Sequence, residues 1–187
     1  MTGADGVRPW LAHGPRRRPR PTVAGVAGGV GTTTVAAALG GIDRGVFVNR
    51  VVDVLVCRAT GDSLVRAGHA ARLVSEVTGR LPVLAVTAAD ATGPGRPVTA
   101  RLRLLGPNTA AVVVLPFVRR WRELPTPLDE ARVLLAVPRT DLPRALRRYA
   151  AAVDEIANAL TGRRSATPPR PVHGRAAITA STLRRAP

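Results

Sequence analysis

Three stretches of this chain are apolar almost without interruption: "VVDVLVCRA" from Val51, "LPVLAVTAAD" from Leu81 and "AAVVVLPF" from Ala110. A fourth, "PTVAGVA", begins at Pro21. A strand with one wet face alternates polar and apolar residues. A strand without that alternation is covered on both sides, which is the condition of a parallel sheet. Helical patterns separate the runs. Strand–helix alternation of this kind implies an α/β fold, a small and mostly parallel sheet with helices on both faces.

The helical segments carry their own boundaries. "TTTVAAALGG" reads as a short helix closed by glycines. "GDSLVRAGHAARLVSEVTG" reads as a longer one, capped by Asp62 or Ser63, with Leu64, Ala67, Ala71 and Val74 as its buried stripe and Gly79 as its stop. "RPVTARLRLLG" is a short helix. Asp129 and Glu130 open another at "PLDEARVLLAV", where carboxylates suit the positive helix end. The clearest pattern is "DLPRALRRYAAAVDEIANALTG", with Asp141 as cap and Pro143 in the first turn. Its apolar residues Leu142, Leu146, Tyr149, Val153, Ile156 and Leu160 recur at steps of four and three. This stripe over 141–161 either packs on the domain's own sheet or forms a homodimer or partner contact.

Composition divides the chain. Residues 1–20 and 163–187 are rich in Arg, Pro and small residues and are expected to be disordered tails around a body at 21–162. The 28 basic residues, all Arg, outnumber 12 acids and give a formal charge of +16. That excess favours a polyanion such as DNA, bound through the Arg-rich tails; coding bias plus two basic tails is the competing explanation. One cysteine excludes an internal disulfide, and His13, His69 and His173 share no ligand spacing. Residues 22–42 carry no charge and follow "RRRPR", but their glycines and threonines leave them too weakly apolar for an anchor. A cytoplasmic protein without stable membrane insertion is expected.

The segment "AGGVGTTTVAAAL" sits between the first strand and the first helix. Glycines there let backbone N–H groups turn inward, and the helix start adds partial positive charge, so an anion site can form from backbone alone. The segment resembles the deviant P-loop of the ParA/MinD family, whose usual form is KGGVGKTT. Gly28, Gly29, Val30, Gly31, Thr33 and Thr34 fall on matching positions, while Ala27 and Thr32 stand where that family has lysines. "VVDVLVCRATGDSLVRAGHAARLV", "PVLAVTAAD" and "VVVLPFVRRWRE" look like later strands and a helix of the same family, so the likeness spans about 22–160. It implies a P-loop NTPase-like domain in which Gly28, Gly29, Val30, Gly31, Thr32, Thr33 and Thr34 contact the phosphates of ATP or another nucleotide. Thr33 would supply the hydroxyl for Mg²⁺. It also implies a role in plasmid maintenance, DNA partitioning or a conjugative element.

The chain departs from that family where catalysis is carried. Phosphoryl transfer needs the β and γ charges neutralised by lysine and a held Mg²⁺. Both lysines are missing, and the gap of about ten residues before "VVDVLVC" holds Asp43 alone and no Asp-x-x-Pro strand. A non-catalytic or weakly nucleotide-binding protein is therefore expected.

Three alternatives stay open. Arg58, Arg119, Arg120 or a partner chain could supply the missing charge. Gly25, Gly29 and Gly31 could belong to an NAD(P)-binding Rossmann loop, with Asp43 or Asp53 offered to a ribose. The loop could be a relic in an interaction adaptor, docked through the last helix or through Trp121. In "FVRRWREL", Arg119, Arg120 and Arg122 surround Trp121 just past a strand, where they could grip phosphate and stack on a base, or form a surface around one anchoring tryptophan.

Overall fold

The computed structural model describes residues 19–165. Five strands form one parallel sheet: β1 (Thr22–Gly25), β2 (Ile42–Val46), β3 (Val54–Arg58), β4 (Val83–Thr87) and β5 (Ala111–Leu115), in the order β2-β1-β3-β4-β5. Five helices accompany them: α1 (Thr32–Ala38), α2 (Gly61–Thr78), α3 (Arg96–Leu105), α4 (Pro127–Val133) and α5 (Arg144–Ser165). Short 3-10 turns occupy Gly106–Asn108 and Arg119–Arg122.

The continuous apolar runs behave as their pattern requires. Val54, Leu55, Val56 and Cys57 of β3 and Val83, Leu84, Ala85 and Val86 of β4 are fully buried. Their side chains alternate between two cores. One core joins Val54, Val56, Val83 and Ala85 to α1, α4 and α5; the other joins Leu55, Cys57, Leu84 and Val86 to α2 and α3. Each fully buried valine or leucine contributes about 1.5–3 kcal/mol of transfer free energy, so these central strands anchor the fold.

The apolar runs predict four strands, and the segment after α1 carries no strand pattern. Here it is β2, an edge strand exposed along its whole length. "IDRGV" hides its strand character behind two charges and a glycine. Its register against β1 slips between Val23↔Asp43 and Gly25↔Val46, with Gly45 at φ 68 and its N–H bonded to Asp43 Oδ1 at 2.8 Å. A bulge of this type re-aims the strand beside the loop that follows β1. The return from β2 to β3 is residues 47–53 with no helix, and Val52 and Phe47 on this strap pack into the α2–α3 core.

Helix ends differ from expectation in two places. Asp62 and Ser63 do not cap α2; Thr60 occupies the cap position. Asp62 pairs with Arg66, and Ser63 Oγ accepts the Arg58 N–H at 2.9 Å. The stripe Leu64, Ala67, Ala71 and Val74 is buried and Gly79 ends the helix at φ 64, as the pattern requires. Asp141 does not cap α5, which starts at Arg144; Asp141 lies in the preceding turn and accepts from the Thr140 hydroxyl.

The apolar stripe over 141–161 is spent internally. Leu142, Leu146, Tyr149, Val153, Ile156 and Leu160 are all buried in the core shared with β3, β4 and β5. A homodimer or partner contact through that face is thereby overturned, because docking would need the core to open.

The body also reaches past its expected edges. Arg20, expected in the N-terminal tail, donates to the carbonyls of Gly40 and Gly41, and α5 runs on to Ser165. The remainder of the expected tails lies outside the described residues. No helix among the described residues is long and apolar enough to cross a membrane.

Candidate phosphate-binding loop

The loop begins where β1 runs out. Val26 N–H still bonds Val56 O at 2.9 Å, and the chain then turns through Ala27–Gly31 into α1. Gly31 is the cap residue, at φ 93 and ψ 20, a conformation that favours glycine. Gly25 is required for a different reason. A Cβ there would lie 2.2 Å from Thr32 Oγ1 and 2.7 Å from the Val30 side chain, so the loop folds back directly over the strand end. Gly28 is under neither constraint: its φ is not positive, and a Cβ would meet open space.

Two side chains from other strands hold the loop's carbonyls. Arg58, the last residue of β3, donates from Nη2 to Gly29 O at 2.6 Å. Thr87, the last residue of β4, donates from Oγ1 to Val30 O at 2.9 Å and to Cys57 O at 3.2 Å. The N–H groups are treated in the opposite way. Among the described residues, those of Gly28 through Thr34 donate no backbone hydrogen bond; Val35 N–H is the next to find a carbonyl, that of Gly31 at 3.1 Å. Helix starts always leave such donors open, but here the open run extends back through the glycines.

The place of this run follows from the topology. From β1 the chain moves outward to β2, and from β3 it moves the other way, so the order reverses between β1 and β3. In open α/β sheets, the crevice beyond the carboxyl ends of the strands at such a reversal is where ligands bind. Gly29 and Arg58 meet there.

Two cavities flank the loop. A cleft of about 210 Å³ lies over the ends of β3, β4 and β5, with Gly31, Thr34, Arg58, Thr87, Phe117 and Arg122 among its walls. A second, of about 380 Å³, lies toward β2 and is lined by Gly28, Thr32, Thr33, Thr34, Asp43 and Gly45 among others. The candidate residues Gly28, Gly29, Val30, Gly31, Thr32, Thr33 and Thr34 are thus brought to one place, with both cavities opening onto the loop.

The arginine cluster separates. Arg119 is exposed and pairs with Glu123. Arg120 is bound to Glu130, which also accepts Trp121 Nε1–H at 2.9 Å. Trp121 packs edge-on against Tyr149, with ring centroids 4.7 Å apart and planes 69° apart. Arg122 lies over the Phe117 ring at 4.8 Å and, with Trp121, lines the smaller cleft. Of the residues offered to supply the missing lysine's charge, Arg58 reaches the loop and lines the cleft, whereas Arg119 and Arg120 do neither. Arg122, which the sequence places in the cluster without marking it as a charge donor, also lines that cleft. Glu130, read as a helix-end carboxylate, is also the group that holds Trp121.

The Mg²⁺ donor that the loop resemblance implies, Thr33, lines the larger cavity together with Asp43. Thr33 is exposed. The strand beside β1 ends in Arg58 rather than a carboxylate. Asp43 is the one acid lining either cavity. Asp53 lies at the opposite end of the sheet, where its Oδ2 accepts the Thr22 N–H and hydroxyl at 2.9 Å each, so it reaches neither a ribose nor a metal at the loop. Among the described residues, no group of three or more His, Cys, Asp or Glu could hold an ion. Beside Arg58, the Cys57 thiol is pushed up by burial to about 12, so it takes no part in the site as a nucleophile. Comparison with family models, with curated proteins and with solved structures finds no match for this chain.

Proposed function

We propose that this chain is a non-catalytic or weakly nucleotide-binding P-loop protein of ParA/MinD-like type, holding a phosphate at Gly28–Thr34 without turning it over. The observation that carries the reading is the run of backbone N–H groups from Gly28 to Thr34 without backbone partners, set at the reversal between β1 and β3. Such a run satisfies itself on an anion. Catalysis is argued against by Ala27 and Thr32 at the two lysine positions and by Arg58 at the end of the adjacent strand. Titration calorimetry with ATP, paired with a turnover assay, tests both halves.

The same reading assigns the Arg-rich tails to DNA, in plasmid maintenance, partitioning or a conjugative element. Its support is the charge of +16. Tail-mediated binding would fall steeply with salt and show little sequence preference; equal duplex binding by a tail-deleted chain would remove this assignment.

The alternatives weaken on specific residues. An NAD(P) loop loses Asp53 as the ribose acid, and the classical dinucleotide order has a further strand beyond β2, which here is the sheet edge. A partner-docking role loses the α5 stripe to the core and finds Trp121 held by Glu130 and Tyr149.

A further inference from the structure

We propose that Arg58 and Arg122 stand in for a metal ion, so that the cleft beside the loop takes a phosphate or pyrophosphate group without Mg²⁺. The inference rests on the phosphate-binding reading of the loop, of which Gly29, Val30, Gly31 and Thr34 line this cleft, and adds how the ligand's charge is met. In P-loop enzymes the divalent ion is held between the loop hydroxyl and a carboxylate on a neighbouring strand. The strand next to β1 here is β3, and its last residue presents a guanidinium at 2.6 Å from Gly29 O. A fixed cation at that point repels a second one. One Nη2–H of Arg58 is used on the carbonyl; a guanidinium carries five N–H donors, so most remain for a ligand.

Arg122 supplies the second charge across the cleft, positioned by the Phe117 ring at 4.8 Å. Among the described residues, neither arginine lies within ion-pair distance of a carboxylate. The cleft wall contains no acid; its polar side chains besides the two arginines include the Thr34 and Thr87 hydroxyls. Two unpaired guanidiniums facing one acid-free cleft are suited to the forked geometry of phosphate oxygens. A volume of about 210 Å³ falls below the roughly 300–1,000 Å³ of drug-sized pockets, which matches one or two phosphate groups better than a whole nucleotide. Asp43 lines the other cavity, together with Thr33.

The test is calorimetry of the full chain with inorganic pyrophosphate and with ATP, each in EDTA and in excess Mg²⁺, on the native protein and on Arg58→Gln, Arg58→Lys and Arg122→Gln. The expected result is binding in EDTA that Mg²⁺ does not strengthen, weakened about tenfold or more by Arg58→Gln and by Arg122→Gln, as loss of a charge-assisted fork predicts, and partly kept by Arg58→Lys. Among the described residues Arg122 makes no hydrogen bond to the loop and is held instead over Phe117, so a loss of binding in Arg122→Gln is read apart from the Arg58 tether. Binding that requires Mg²⁺ and is lost in Asp43→Asn overturns the metal-free assignment while leaving the loop reading intact. No binding of either ligand under both conditions removes the loop reading as well. If ATP binds without metal and pyrophosphate does not, the loop reading stands and the assignment of the cleft to a bare phosphate group falls.

Discussion

Arg58 donates from Nη2 to the carbonyl oxygen of Gly29 at 2.6 Å, joining the end of β3 to the loop after β1. Thr87 does the same for Val30 from the end of β4. Two neighbouring strands therefore fix the carbonyl side of the loop while its N–H side stays open. Thr87→Val removes a hydroxyl that serves two carbonyls and keeps the side-chain volume. The expected cost is about 1–2 kcal/mol, the range for an unmet buried hydrogen bond, read as a lower urea midpoint with an unchanged slope. No change in midpoint would mean that the loop does not depend on this tether.

The loop glycines separate structure from binding. Gly31→Ala places a Cβ on a residue at φ 93 and 3.3 Å from the Thr87 methyl. It should destabilise the fold by about 1–3 kcal/mol, as a non-glycine residue in the left-handed region does. Gly28→Ala meets open space at an ordinary φ and should change stability by no more than about 0.5 kcal/mol. The same variant should weaken nucleotide binding if phosphate approaches the backbone there. Denaturation curves together with calorimetry on the two variants check both statements; unaltered binding in Gly28→Ala would count against contact at that residue.

The α5 stripe offers a clean choice between core and partner. Leu146 is 2% exposed and Ile156 fully buried. Leu146→Ala and Ile156→Ala should each cost about 2–5 kcal/mol by cavity formation, with no change in oligomeric state by light scattering. A stable variant with altered mass would restore the partner reading.

Alkaline pH should destabilise the fold. Burial raises the Cys57 thiol from its ordinary 9.0 to about 12 and raises the Tyr149 phenol as well. Above the unfolded values the unfolded chain binds fewer protons than the folded one, so stability falls as pH rises. The contribution is fully present below pH 9.0 and is lost progressively from there toward about 12 for the thiol. Urea midpoints should be insensitive to these two groups near neutrality and decline on the alkaline side, with a shallower decline in Cys57→Ala. Flat midpoints through that window would contradict the buried state of both groups.

The sheet was legible where burial writes itself into the sequence. β3, β4 and β5 are runs of Val, Leu and Ala, and their parallel sense follows from lacking a polar face. β2 was not legible, because an exposed edge strand with Asp43, Arg44 and a bulged Gly45 carries no such signal. Caps were misplaced for a related reason. Asp62, Ser63 and Asp141 are good cap residues, but each found another local partner: Asp62 pairs with Arg66 one helical turn on, Ser63 accepts the Arg58 N–H, and Asp141 accepts from its neighbour Thr140. The loop was plain from local glycine spacing. Its tether was not, since Arg58 and Gly29 are 29 residues apart and nothing local links them. The arginine run at 119–122 suggested one function for four neighbours, whereas the turn there directs Arg119 and Arg120 to carboxylates and Arg122 to the cleft.

The central claim is that Gly28–Thr34 holds a phosphate and does not transfer it. Calorimetric titration of the native chain with ATP, run beside a phosphate-release assay and repeated with Gly31→Asp, tests it most directly. The account predicts saturable binding, weak enough to fall in the range of about 1 μM to 1 mM, abolished by Gly31→Asp, with no phosphate release above background. ATP turnover that disappears in Thr33→Ala would contradict it, and so would a native chain that binds nothing.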